Sequence, residues 1–498
     1  MGSSLIVAYG NDPLYLAIVW QLVELEKASG NTPTVLDVSP VVGIVGDAIN
    51  RRALRLFGIP SPDVAFHACL LDAGVKLFSA PDFVAQGRST PLSKEALEGI
   101  RETTRSALIS FSRDPEPRVT RAPWKKLQSR LLKAGMETFY AVSGVLASDP
   151  GIDTVIVLNG RFPHQRGALE AAYEYDRAVK HYEKGDKPDT YWFESHSTLD
   201  RVRTQETVDF TLDHLATEEA LELGREWMAR RSSGGANIYA RFFDDQSVVD
   251  SSMRTRRVVG FFTSSQDEFA ALGPEWHVQE WMDQLLAFEV ALSRIESEDV
   301  EVYLRVHPNF ATKSLRSFRR ERAAIEALGS RHPELRIIWH DEQVNSYSLV
   351  SDTDVVVVWD STIGLEASAY GKPVWELAAS YYDLYADVRQ WFGPDQSPSP
   401  DALEFKVDTT RALRFMAYLD IREPSLSAKT IALRESITPP MSLGLRFTNI
   451  LSSGGAPTPR IALESIRDSF GHRRADINLA AVRNFIAKNR RRRIQPEQ

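Results

Sequence analysis

The run Asp354–Trp359 (DVVVVW) constrains the fold more than any other segment. It is a near-continuous apolar stretch with no polar alternation. That pattern suits a strand covered on both faces, at the buried centre of a parallel sheet. The run ends at Asp360-Ser361-Thr362, and Ile363–Tyr370 reads as a helix. Gly371-Lys372-Pro373 then turns the chain into another strand, Val374–Leu377.

The same rhythm of strand, turn and helix runs through the second half. Val258–Thr263 is a strand, Trp276–Ile295 a long amphipathic helix, and Glu301–Val306 a strand ending at His307-Pro308-Asn309. Leu315–Leu328 is a helix, Leu335–Trp339 a strand, and Asn345–Ser351 a short helix. The first half repeats the rhythm less cleanly. Leu5–Tyr9 is a strand, Leu14–Lys27 a helix, and Thr34–Val38 a strand. Residues 85–150 are mostly helical in pattern, and Asp153–Leu158, Gln165–Tyr175 and Val179–Tyr182 follow as strand, helix and strand. The turn after the first strand carries a single glycine, so it is not a dinucleotide fingerprint. The architecture expected is α/β, with two Rossmann-like domains facing each other across a cleft. The boundary is expected near 245–256, giving domains over 1–250 and 251–455 and a tail over 456–498.

Composition excludes several classes. With 43% apolar and 25% charged residues among 498, the chain is an ordinary globular one. Cys69 is the sole cysteine, so an internal disulfide is impossible and a reducing compartment is the natural setting. The formal charge of −8 argues against a chain that wraps nucleic acid. No segment has the length and apolarity of a membrane span, and Met1–Tyr9 lacks the form of a signal peptide. The expectation is a cytoplasmic protein.

In open parallel sheets, ligands bind beyond the carboxyl ends of the strands. In the second domain those ends carry Thr263, Ser264 and Ser265, then His307, Pro308 and Asn309, then Asp360, Ser361, Thr362 and Gly364. Glu366 follows one helical turn after Thr362. Hydroxyls and free amides at a helix start favour a phosphate. Gly364 would let the phosphate approach the backbone. A carboxylate suits ribose hydroxyls better than phosphate. His307 supplies a donor, or a positive charge when protonated. Each feature also has a plainer reading, as a helix cap, a turn or a solvated helix residue. Their recurrence at the strand ends of one sheet favours a nucleotide site.

These motifs, His-Pro-Asn after one strand and Asp-Ser-Thr-x-Gly-x-Glu-Ala-x-x-x-Gly-Lys-Pro-Val after another, resemble the donor domain of GT-B type glycosyltransferases of bacterial capsule and surface polysaccharides. Kdo transferases, bacterial sialyltransferases and CDP-glycerol glycerophosphotransferases carry related pairs, and UDP-N-acetylglucosamine 2-epimerase is similar around the Asp-Ser segment. Val157–Phe162, Tyr182–Gly185 and Phe261–Phe269 look like further matches, and the resemblance covers roughly 151–380. It implies a GT-B-like fold, a UDP- or CMP-type sugar donor and a saccharide or lipid-linked saccharide acceptor, with no cofactor. By residue it implies that His307 meets the donor phosphate or leaving nucleotide, that Ser361 and Thr362 bind phosphate, and that Glu366 binds ribose. Thr263, Ser264 and Ser265 would line the diphosphate side, beside Pro308 and Asn309. The alternatives are a UDP-sugar 2-epimerase, a polyol-phosphate transferase, or a non-catalytic nucleotide-binding partner.

On the acceptor side, Asn159, Gly160 and Arg161 leave the end of a first-domain strand. Glu183, His164 and Asp12 are candidates for a base that deprotonates an acceptor hydroxyl. The plainer reading, an exposed turn for Glu183 and a helix cap for Asp12, is the favoured one. There is no ligand-spaced His/Asp cluster, so no metal is expected. Arg460–Lys488 has helical periodicity and Arg490–Arg493 is basic. The tail suits a helix crossing back to the first domain, a peripheral contact with an anionic membrane, or a solvated terminus.

Overall fold

The computed structural model describes residues 2–10, 12–43, 61–117, 119–232, 256–273, 276–281, 283–295, 300–342, 344–396 and 403–438. Its strands are β1 (Ser3–Ala8), β2 (Thr32–Asp37), β3 (Lys76–Ser79), β4 (Ile152–Leu158), β5 (Ala178–Lys184) and β6 (Tyr191–Glu194). The second half adds β7 (Arg257–Phe262), β8 (Val300–Arg305), β9 (Leu335–Ile338), β10 (Val355–Val358), β11 (Val374–Glu376) and β12 (Arg389–Gln390).

They form two six-stranded sheets, ordered β3-β2-β1-β4-β5-β6 and β12-β11-β10-β7-β8-β9. Counted within each half, both follow the same doubly wound order. All neighbours are parallel except β5 and β6. The winding reverses between β1 and β4 in one sheet and between β7 and β10 in the other. In such sheets a crevice for ligand opens at that reversal. The two Rossmann-like α/β units are those anticipated from the sequence.

The valine run is β10, and Val355, Val356, Val357 and Val358 are all fully buried. Alternate side chains serve opposite faces. Val355 and Val357 pack with Phe288, Ala291 and Leu292 of the Gln284–Ile295 helix. Val356 and Val358 pack with Leu365 and Phe415 on the other side. Burying one such side chain stabilises by roughly 1.5–3 kcal/mol.

The long helix expected from Trp276 begins at Gln284. Ahead of it, the Trp276 and Trp281 indoles donate to the Leu199 and Leu377 carbonyls at 3.0 and 2.7 Å. These long-range bonds hold the segment in an irregular path.

Over the described residues the chain passes between the units twice. The Arg201–His214 and Thr217–Ser232 helices lie ahead of the expected boundary, which itself falls among residues outside those described. Yet Val208, Trp227 and Met228 belong to the core that includes Val356 and Phe415. A Cβ on Gly224 would stand 2.1 Å from the Leu413 carbonyl oxygen, so only glycine permits this contact with the Thr409–Ile421 helix.

The return is made by the Ala428–Ile437 helix, which packs on the Pro13–Ala28 helix. Ser427 N and Thr430 Oγ1 donate to Gln21 Oε1 at 3.0 and 2.8 Å, and Lys429 pairs with Glu24 at 2.7 Å. A crossing helix was anticipated over Arg460–Lys488, which lies outside the described residues, as does the Arg490–Arg493 run.

Candidate functional site

The carboxyl ends of β7, β8 and β10 share one cavity of about 550 Å³. Thr263, Ser264 and Ser265 enter it from β7, and His307, Pro308 and Asn309 from β8. Asp360, Ser361, Thr362 and Glu366 enter from β10 and the helix after it. The sequence-expected donor residues thus meet in one place, Gly364 excepted.

His307 is tied to the scaffold at both ends of the residue. Its backbone N–H donates to Thr263 Oγ1 at 2.8 Å, and its Nδ1 accepts from the Asn309 amide at 3.0 Å. That leaves Nε2 to carry the ring proton. Burial, with Lys313 and Arg113 adding to it, pushes the imidazole down to about 4. At neutral pH His307 is therefore an uncharged donor, and the positive charge considered for it is absent.

Ser264 is fixed through its backbone, its N–H donating to Gln284 Oε1 at 3.1 Å. The buried Ser265 hydroxyl has no hydrogen-bond partner, a costly state unless a ligand or water satisfies it. Asp360 is a site residue the sequence showed only as part of a turn. Burial raises its carboxyl to about 7, the Ser264 hydroxyl opposes this, and Glu268 adds to it. One of its oxygens, Oδ1, is also buried without a partner.

Gly364 does something other than admit a phosphate. The Tyr382 hydroxyl donates to the Ser361 carbonyl at 2.6 Å, and a Cβ on Gly364 would lie 2.2 Å from that hydroxyl. The glycine makes room for Tyr382. The helix it sits in, Ile363–Ala369, has seven residues, and Thr362 makes no side-chain cap bond there. Its dipole is correspondingly small, so the hydroxyls of Ser361 and Thr362 are the main donors on this side.

Glu366 is 2% exposed and accepts from Arg231 Nε at 2.7 Å. Burial pushes its carboxyl up, and Arg231 and Tyr347 oppose that. It is a buried, paired carboxylate, where the sequence suggested an open acceptor. The remaining wall comes from segments the sequence did not flag. Arg201, Trp227 and Arg231 lie on the first crossing, and Tyr381, Tyr385, Phe415 and Arg422 come after β11. Arg305, at the end of β8, donates to the Trp339 and Val344 carbonyls at 2.5 and 3.2 Å.

The first-domain candidates lie elsewhere, and none lines this cavity. Asp12 is exposed and caps the Pro13–Ala28 helix, accepting from Leu14 N at 2.8 Å. Glu183 accepts from the Tyr15 hydroxyl at 2.6 Å and from the Asn159 side-chain amide. Both of its oxygens are engaged. His164 is 4% exposed, with Tyr9 4.3 Å away and Phe162 6.2 Å away between ring centroids. Burial drives its imidazole down to about 3, which makes it a poor base at neutral pH.

Asn159, Gly160 and Arg161 do lie beyond β4, as expected. There Asn159 Oδ1 accepts from the Arg161 amide at 3.0 Å, its carbonyl accepts from Ser197 at 2.6 Å, and Gly160 has φ +85°. Arg161 donates to the Ser110 hydroxyl at 3.0 Å, and burial lowers its pKa. This set closes a turn.

The units are keyed together beside the cavity. Arg113 pairs with Asp267 at 3.3 Å and Glu268 at 2.9 Å, and Asp114 pairs with Arg316 and Arg320 at 3.3 and 3.1 Å. Among the described residues no group of three or more His, Cys, Asp or Glu side chains is placed to hold a metal ion. Nor is any described helix long and apolar enough to cross a membrane.

Residues 279–386 match the family model for capsule polysaccharide biosynthesis proteins. No curated protein sequence matches the chain. Among solved structures, the beta-Kdo 2,4-transferase KpsC of Thermosulfurimonas dismutans is similar at 14% identity and a TM-score of 0.35, covering 54% of this chain and 80% of its own. The UDP-GlcNAc 2-epimerase of Neisseria meningitidis aligns at 13% identity and 0.26, covering 91% and 99%. A glycosyltransferase from Rickettsia africae aligns at 12% and 0.27, covering 90% and 98%.

Proposed function

We propose that this protein is a GT-B type glycosyltransferase of capsule or related surface-polysaccharide assembly, moving a sugar from a nucleotide-activated donor to a saccharide acceptor. One observation carries the reading. The hydroxyls of Ser265, Ser361 and Thr362 and the neutral His307 converge on a single cavity at the winding reversal of the second sheet, and most of that cavity's chemistry lies in the segment matching the capsule family.

The roles follow from the chemistry. Ser361 and Thr362 donate to the donor phosphate, with Ser264 and Ser265 on the facing wall. His307 gives a neutral hydrogen bond from Nε2 to the phosphate or to the leaving nucleotide. Such preorganised donors stabilise charge that develops on the leaving group without reorganising. Positive charge on the wall balances the phosphate, so the chemistry asks for no metal. The donor is of UDP or CMP type and the acceptor is a saccharide, free or lipid-linked. Asp12, His164 and Glu183 have no part in this mechanism.

Turnover tests the reading. The protein is incubated with UDP- and CMP-activated sugars and with saccharide acceptors, and acceptor-dependent nucleotide release is followed. Transfer that His307→Ala lowers at least about hundredfold, the size typical of a lost transition-state donor, supports it. Donor consumption that no acceptor stimulates, with the nucleotide retained on an isomerised sugar, would instead make it an epimerase.

A cytosolic donor places the reaction on the cytoplasmic side. The Arg490–Arg493 run would add roughly 1 kcal/mol per basic residue at an anionic leaflet. Flotation with anionic vesicles at low and high salt checks this, and a protein that ignores vesicles at low salt removes the membrane contact.

A further inference from the structure

The resemblance at Glu366 implies a carboxylate that holds ribose, but the structure gives that carboxylate another occupation. It is buried, it accepts from Arg231 Nε at 2.7 Å, and it accepts from the Tyr347 hydroxyl. Little of it is left to meet two sugar hydroxyls. Arg231, by contrast, reaches the cavity. Its side chain keeps 18% exposure, and its guanidinium carbon sits 4.8 Å from the centroid of the Trp227 ring. Glu366 and Tyr347 take only part of the guanidinium fork, and a planar fork of this kind is well suited to phosphate.

The other arginines of the wall face other partners. Arg201 pairs with Asp383, Arg422 lies between Asp186 and Glu423, and Arg305 donates to the Trp339 and Val344 carbonyls, though each keeps a buried Nε without a partner. Of these four, Arg231 alone pairs with a residue of the Ile363–Ala369 helix, and Tyr381, which bonds to Thr362, feels its charge.

We propose that Arg231 is the cation that meets the donor's phosphate, and that Glu366 is its positioning residue, holding the guanidinium on the cavity wall beside Ser361 and Thr362. This rests on the nucleotide-sugar reading above. It makes a helix of the first crossing, and not the second sheet alone, part of the donor site.

The test separates phosphate from ribose. Wild type, Arg231→Ala, Arg231→Lys, Glu366→Ala and Glu366→Gln are titrated with UDP and CMP, with uridine and cytidine, and with the 2′,3′-dideoxy forms of both nucleotides. Melting curves identify any variant that fails to fold, and the Lys and Gln variants preserve shape if the alanines do not fold. Arg231→Ala should weaken the nucleotide that wild type binds by about tenfold or more, the scale of a charge-assisted bond, while nucleoside affinity stays unchanged. Lysine should restore part of the loss. Both Glu366 variants should show the same phosphate-specific loss, and wild type should bind the dideoxy form within about twofold of the ribonucleotide.

The proposal is overturned if wild type strongly prefers ribose and Glu366→Gln abolishes that preference. It is also overturned if Arg231→Ala weakens nucleoside and nucleotide alike. A wild type that binds none of the probes would strike the nucleotide-sugar reading itself, which is a separate failure.

Discussion

The two sheets share a strand order and differ at their carboxyl ends. At the end of the second, Ser265 and Asp360 hold buried polar atoms without partners, facing a cavity. At the end of the first, Asp12 caps a helix, and Glu183 is held by Tyr15 and Asn159. His164 is packed between rings there, although its Nε2 is also without a partner. Topology thus places candidate sites at both reversals, and only unspent hydrogen-bonding capacity opening on a cavity separates them.

The sharpest way to break this contrast is to swap the damage. His307→Ala combined with Thr362→Ala should weaken nucleotide binding by about hundredfold or more, since two donors to a charged group are lost. Glu183→Gln, measured in the same titration, should leave affinity within about twofold. A Glu183 variant that abolishes binding would merge the two regions into one site.

Stability sharpens the contrast further. Gly364→Ala forces a Cβ to within 2.2 Å of the Tyr382 hydroxyl, and overpacking of that kind costs about 1–3 kcal/mol by denaturant midpoint. Unchanged stability with lost nucleotide binding would return Gly364 to the role of admitting a phosphate. Asp12→Ala should cost less, about 1 kcal/mol for a helix cap, with turnover unchanged.

The pH dependence gives the subtlest check. Burial holds His307 down at about 4 and His164 at about 3, against an ordinary value of 6.5. The unfolded chain therefore takes up protons first. The stability these groups contribute is full above about 6.5 and is lost as pH falls toward 4 and below. Asp360, raised to about 7, acts with the opposite sign: its contribution is full below its ordinary 3.8 and is lost as pH rises through 7. Asp360→Asn should remove a fall in melting temperature as pH rises from about 4 to 7, and His164→Phe a fall as pH drops below about 6.5. A profile that neither substitution alters would contradict the burial of both groups.

Much of the second unit was legible because a strand buried on both faces is one apolar run, and the residues just past such a run must sit at a strand end. Thr263–Ser265, His307–Asn309 and Ser361–Thr362 could be placed on one rim without coordinates. Arg201, Trp227 and Arg231 could not. They sit on polar helices whose pattern matches a solvated surface, and only the packing of Val208 and Met228 shows that those helices belong to the second core. Asp12 and Glu183 were ambiguous for another reason. The residue types that cap a helix or close a turn are the ones that catalyse, and spacing alone does not tell an engaged carboxylate from a free one. The returning Ala428–Ile437 helix is short and only weakly amphipathic in pattern, and its partner Gln21 lies more than four hundred positions away.

The central claim is that the second sheet's reversal binds a nucleotide. Calorimetric titration of wild type and of the His307→Ala, Thr362→Ala double variant with UDP, CMP, CDP, GDP and ADP tests it most directly. Wild type should bind a uridine or cytidine nucleotide, and the folded double variant should not. Equal binding by both proteins, or binding of none of the five by wild type, would contradict it.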